Sequence, residues 1–136
     1  MKKIIQKKYQ LGRGLLIKSE PLVSVIMPVY NAGKYLRASI DSIFAQSYKN
    51  SEVIIVNDAS TDDSLEIIKQ YKGRYPNKIK IINLKKNLNR GGDSCANLAI
   101  KVAKGEYIAR MDADDICHPE RIEKQVKFLQ KRQDYF

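Results

Sequence analysis

The sequence predicts an α/β domain: a mostly parallel sheet with helices on both faces. Three observations carry this prediction. Short β-branched apolar runs alternate with helical patterns four times, no hairpin signal joins one strand to the next, and each strand runs directly into a polar cluster. At 136 residues and 43% apolar content, the chain can bury one core but is too short for two ordinary domains.

Taken in order, residues 22–27 (LVSVIM) form an apolar run ended by Pro28, as expected of a buried strand. Residues 32–45 place Leu36, Ile40 and Ile43 at helical spacing with Phe44 beside them. Residues 53–56 (VIIV) are a second buried strand. The polar run Ser60, Thr61, Asp62, Asp63 then supplies an N-cap and acidic first turn for a helix to about Tyr71. Residues 78–84 alternate partly, as a third strand does. A helix over 89–104 carries Leu98, Ala99 and Val102 on one side and closes at Gly105. Residues 106–111 make a fourth strand, and a last helix starts near Pro119 with Ile122, Val126 and Leu129 as its stripe.

Charge divides the chain. Half of the +10 net charge lies in residues 1–21, where Lys2, Lys3, Lys7, Lys8, Arg13 and Lys18 face Glu20 alone. This segment reads as a basic, solvated leader able to touch acidic lipid headgroups; residues 22–136 are the domain. The domain is interrupted by acidic clusters at 58–63 and 112–115, which a duplex binder would not carry in its architecture, so no nucleic-acid partner is expected. No apolar run approaches the roughly 20 residues of a membrane span. Basic residues break up any signal-peptide core. The expected location is cytoplasmic, with the leader available to the membrane face. Cys95 and Cys117 are too few and too far apart for a zinc ribbon or redox pair, and read as small buried thiols.

In a parallel sheet the polar clusters after the strands all lie on one carboxyl edge, where open α/β sheets bind ligands. They are Tyr30-Asn31, Asn57-Asp58, residues 85–90 and residues 112–115. The first turn, Pro28, Val29, Tyr30, Asn31, Ala32, Gly33, has no dinucleotide fingerprint, and no P-loop is present. Gly91-Gly92 allows backbone N–H groups to approach an anion.

The run Asp112, Ala113, Asp114, Asp115 is the sharper signal. At a strand end, Asp112 and Asp114 point to one side. Carboxylates so close repel unless a cation neutralises them, and hard oxygen donors favour Mg²⁺ or Mn²⁺. The plainer reading is that Asp114 or Asp115 caps the next helix; three acids exceed what a cap requires. Asp58 could serve its loop, but with Ser60 and Thr61 available as caps it is free to face a ligand. Arg90 could balance phosphate charge from the same edge, while Lys85 and Lys86 read as solvated. His118, the only histidine, reads as a loop residue.

Four segments, VSVIMPVYN (23–31), VNDASTD (56–62), NLNRG (87–91) and AKGEYIARMDADD (103–115), resemble glycosyltransferase family 2 in order and spacing, along nearly the whole chain. The resemblance implies a GT-A fold with a Rossmann-like nucleotide-binding half, and inverting transfer of a sugar from a nucleotide donor, usually UDP-linked. It implies that Asp58 pairs with the uracil ring and that the Pro28, Val29, Tyr30 turn borders the nucleotide. Arg90 would line the donor pocket, Asp112 approach the ribose or the metal's water shell, and Asp114 ligate the metal on the diphosphate. The acceptor would be a lipid-linked glycan, a polysaccharide or a protein. Family members place the catalytic base, a carboxylate, well downstream of the D-x-D run. This chain ends at Phe136, so no base is identified and a truncated piece of a longer enzyme is expected. The alternative is a non-catalytic donor-binding or assembly module with the same fold.

Overall fold

The computed structural model describes residues 4–7, 20–89 and 91–132. The order of elements is β1 (Ile4–Lys7), β2 (Val23–Val29), α1 (Gly33–Phe44), β3 (Ser51–Asn57), α2 (Ser64–Arg74), β4 (Ile79–Asn83), α3 (Gly91–Val102), β5 (Tyr107–Arg110) and α4 (Arg121–Lys131). The sheet runs β1-β5-β2-β3-β4. The four strands from β2 to β5 are parallel, as the alternation of elements requires.

The fifth strand was not expected. β1 comes from the basic leader and pairs antiparallel with β5, Ile4 opposite Ala109 and Lys7 opposite Tyr107. Without it, β5 would be a sheet edge with a row of unpaired backbone groups. Four residues flanked by lysines carry too little apolar pattern to announce a strand; the demand comes from β5.

Strand alternation divides the core. Val23, Val25, Met27 and Val29 of β2 pack with Val53 and Ile55 on one face, under Leu36, Ile40 and Ile43 of α1, Ile67 and Ile68 of α2, and Ile122 and Val126 of α4. Ile26, Ile54, Val56 and Ile108 point the other way, onto Cys95, Ala96, Ala99 and Ala103. α3 thus meets its face of the sheet largely through small side chains, which let it approach closely. β2 and β3 are buried on both sides and therefore read as continuous apolar runs.

β2 does not stop before Pro28; it runs on through Val29. Odd residues of β2 turn their backbone toward β3, where Val29 C=O accepts the Asp58 N–H at 2.8 Å. Even residues turn toward β5, where Ile26 C=O accepts the Met111 N–H at 3.0 Å. Pairing with β5 ends at Ile26, so Pro28 presents its missing N–H to a side with no ladder left to break.

At the opposite end of the sheet, Glu52 is buried. It accepts hydrogen bonds from the Ser24 hydroxyl at 2.6 Å and the Lys104 N–H at 2.7 Å, and lies 3.0 Å from Lys80 Nζ. Ser24 Oγ in turn accepts the Gly105 N–H, and a Cβ on Gly105 would come within 2.5 Å of Ser24 N. Glycine is required there because of that approach.

Burial alone would raise the Glu52 pKa, but the Ser24, Lys104 and Lys80 partners outweigh it and hold the carboxyl below its ordinary range. A depressed folded-state pKa contributes stability above the unfolded value, and that contribution is lost as pH falls through the folded value. Glu52→Gln is therefore expected to lower unfolding free energy by about 1–3 kcal/mol at pH 7. In urea melts, the gap to the parent should narrow as pH drops below about 4.3.

Candidate functional site

The carboxyl ends of the parallel strands frame a cleft of about 630 Å³, within the usual range for a small-ligand site. Pro28, Val29, Tyr30, Asp58, Asp112 and Asp114, all singled out from sequence, line it. Arg90 lies outside the described residues. Lys85 and Lys86 are exposed and do not line the cleft. Tyr35, Asn87, Cys95 and Arg110 line it as well and were not picked out from sequence. A partial signal existed for Arg110, two residues before Asp112 on a strand. Cys95 sits one turn into the helix that Gly91 opens.

Asp58 is buried and held firmly. Its Oδ1 accepts the Leu88 N–H at 2.9 Å, and its carbonyl accepts Asn87 Nδ2 at 3.0 Å. The β4–α3 loop is thereby fixed to the end of β3. The next residue, Ala59, has φ 57°, a left-handed conformation that costs an alanine about 1–2 kcal/mol. Cys95 is fully buried; burial first, and the Asp58 charge second, push its thiol pKa up to about 11. It is the small buried thiol that the sequence suggested.

The Ser60–Asp63 run does not act mainly as the α2 cap. α2 begins at Ser64, and its N-cap Asp63 makes no side-chain cap bond. Asp62 Oδ1 does accept the Ser64 N–H at 2.9 Å. The remaining groups reach across to the β2–α1 turn: Ser60 Oγ accepts from Asn31 N, Ser64 Oγ from Ala32 N, and Asp62 Oδ2 from Gly33 N at 2.9 Å. Asn31, at φ 48°, answers by accepting the Thr61 and Asp62 N–H groups on its Oδ1. Two loops that are neighbours only in space clasp one another, and the first turn of α1 is capped from the second loop.

Asp112, Asp114 and Asp115 offer carboxylate oxygens that all lie within 4.8 Å of one another. Strand alternation is not the cause, because β5 ends at Arg110. A turn closed by Asp115 N–H to Asp112 C=O at 3.1 Å gathers them, and Ser39 Oγ also donates to that carbonyl. None of these acids caps α4, whose N-cap is Glu120. Asp114 and Asp115 are exposed and Asp112 half-buried, so water can complete a coordination shell; three hard oxygen donors at this spacing fit a small divalent ion. Asp115 belongs to the acid cluster but not to the cleft lining.

Beside them stands Arg110. Its Nη1 donates to Asp93 Oδ1 at 2.6 Å, and its Nε lies 3.9 Å from Asp112 Oδ1. His118 stays in the loop, where its Nδ1 accepts the Glu120 N–H at 3.2 Å.

Comparison with known proteins gives matches in sequence and in fold. The model of glycosyl transferase family 2 matches residues 24–136. EpsE of Bacillus subtilis, whose name carries a provisional glycosyltransferase assignment, is 48% identical over 119 residues, 88% of this chain and 42% of that protein. WfaP of Escherichia coli, a UDP-Glc:alpha-D-GlcNAc-diphosphoundecaprenol beta-1,3-glucosyltransferase, is 38% identical over 115 residues, 85% of this chain and 44% of its own length. The chain therefore spans less than half the length of these relatives. Among solved structures, S. aureus TarS 1-349 in complex with UDP superimposes with a TM-score of 0.74 at 32% identity, over 82% of this chain and 32% of that one. The mannosyltransferase PcManGT of Pyrobaculum calidifontis, in complex with GDP-Man and Mn²⁺, gives 0.72 at 29% identity, over 82% and 33%. The α/β fold with a parallel Rossmann-like sheet is that of GT-A glycosyltransferases.

The clasp should behave as a unit. Asp62→Ala is expected to cost about 1 kcal/mol, as loss of a helix cap does. In a denaturation double-mutant cycle with Asn31→Ala, the two costs should fall short of additivity by at least about 0.5 kcal/mol.

Proposed function

The chain belongs to glycosyl transferase family 2, and on that premise we propose that it forms the donor side of an inverting glycosyltransferase that uses a UDP-sugar. The observation that carries this reading is the convergence of Asp58 with Asp112 and Asp114 in one cleft, from segments far apart in sequence. The buried Asp58 is oriented by the Leu88 N–H, as a carboxylate that must read a base edge should be. The Pro28, Val29, Tyr30 turn borders the nucleotide, with the half-exposed Tyr30 ring offering it an apolar face. Arg90 is assigned to the same donor pocket by its motif. TarS in complexes with UDP and with UDP-GlcNAc supports a uridine donor. Inverting stereochemistry is carried by the family resemblance.

Asp114, with Asp112 beside it, is the proposed metal site for Mn²⁺ or Mg²⁺; PcManGT in complex with Mn²⁺ supports the type of ion. The ion, when bound, would stabilise the negative charge that builds on the departing diphosphate. The chain's own residues orient the nucleotide and gather these oxygens before the donor arrives. The carboxylates among the described cleft residues, Asp58, Asp112 and Asp114, all serve the donor in this reading. The base that accepts the acceptor hydroxyl's proton is assigned to none of them. The WfaP name supports a lipid-linked glycan acceptor. Among the described residues no helix is long and apolar enough to cross a membrane, and contact with a lipid-borne acceptor at a membrane face is proposed through the basic leader.

Calorimetry tests the donor site. UDP should bind at least about tenfold more tightly with Mn²⁺ present, a difference of about 1.4 kcal/mol. Asp114→Ala should abolish that dependence, and Asp58→Asn should weaken UDP and uridine alike. Equal UDP affinity with and without metal would sink the metal assignment.

A further inference from the structure

Arg110 is the one cationic side chain among the described residues that line the cleft. It bridges two acids of different standing. Asp93, on the first turn of α3, holds Nη1 at 2.6 Å but its side chain is 85% exposed, so the pair is solvent-screened and readily exchanged. Asp112 lies 3.9 Å from Nε, and that Nε is buried without a hydrogen-bond acceptor. Gly92 leaves room for the guanidinium in this position: a Cβ there would come within 2.5 Å of Arg110 Nη2, and the guanidinium would have to shift. A positive charge therefore lies against the acid run, with a buried Nε, which makes no hydrogen bond, 3.9 Å from Asp112 Oδ1.

We propose that Arg110 is a positioning residue that makes metal binding depend on the nucleotide. The inference rests on the metal reading above. In the empty cleft, Arg110 partly neutralises Asp112 and repels a cation, so the acid run by itself is a poor metal site. A donor diphosphate brings enough negative charge to reverse that balance, and metal and nucleotide then load together or in the order nucleotide first. Asp93 sets the strength of the effect by drawing the guanidinium away from Asp112.

Mn²⁺ titrations followed by the electron paramagnetic resonance of the free ion, without nucleotide, read this directly. Arg110→Gln should bind Mn²⁺ about tenfold more tightly than the parent, the scale of removing one charge near a divalent ion in screened surroundings. Arg110→Lys, which keeps the charge, should stay near the parent. Asp93→Asn should shift the other way, several-fold weaker, because Arg110 is then shared with Asp112 alone. With saturating UDP, the gap between Arg110→Gln and the parent should shrink. Thermal melts confirm that each variant is folded, and Asp93→Asn retains the test if the glutamine variant is not, since Mn²⁺ binding by Asp93→Asn as tight as the parent's overturns the proposal. A role in structure alone would make both substitutions weaken Mn²⁺ binding. That result, or equal Mn²⁺ affinity in Arg110→Gln and parent while UDP restores binding, overturns this proposal and leaves the donor site standing. Failure of every form to bind Mn²⁺, even with UDP, overturns both.

Discussion

Between Ile26 and Pro28 the ladder that joins β2 to β5 stops, while the ladder to β3 continues through Val29 to Asp58. Past that point β2 runs on through Val29 while β5 ends at Arg110, and these strand ends line the cleft. Proline is suited to the position because it has no N–H to leave unpaired on the open side. These ends also fix which chemistry can meet: Pro28, Tyr30, Asp58, Arg110 and Asp112 all line the one cleft.

The loops that leave these ends hold one another in place. Asn31 and Asp62 exchange hydrogen bonds in both directions, and Asp58 pins the β4–α3 loop through Leu88. Left-handed backbone at Asn31, Ala59 and Asn89 falls in these same loops. Such conformations persist where surrounding contacts over-determine them, and here the contacts are visible. These contacts orient Asp58 at the edge of the cleft.

Electrostatics distinguishes the two ends of the sheet. Glu52, at the amino end, has its charge answered by Ser24, Lys104 and Lys80. At the carboxyl end Asp114 and Asp115 are exposed and Asp112 has Arg110 beside it. A carboxylate group so placed is costly in isolation and useful with a cation and a diphosphate nearby, which links the charge arrangement to the donor chemistry proposed for the cleft.

Much of the fold was legible in the residues themselves. Apolar runs such as VIIV at 53–56 announce doubly buried strands, and Leu36, Ile40 and Ile43 announce the buried side of α1, because burial enforces a period that composition alone reveals. The polar clusters after each strand likewise pointed to one edge, since parallel pairing leaves no other arrangement. What local pattern could not decide depended on partners far away in sequence. Pro28 read as a stop because its ladder neighbours were unknown. Ser60 and Asp62 read as caps for the helix that follows them because the β2–α1 turn they also serve is distant in the chain. Asp112 and Asp114 come together, but through a turn and not through strand alternation. Arg110 read as one more strand residue until Gly92, Asp93 and Asp112 were seen around it. Sequence by itself determined the periodic elements and the identity of the acids, because those follow from local burial; tertiary structure decided which charges face each other, because that depends on where separate loops meet.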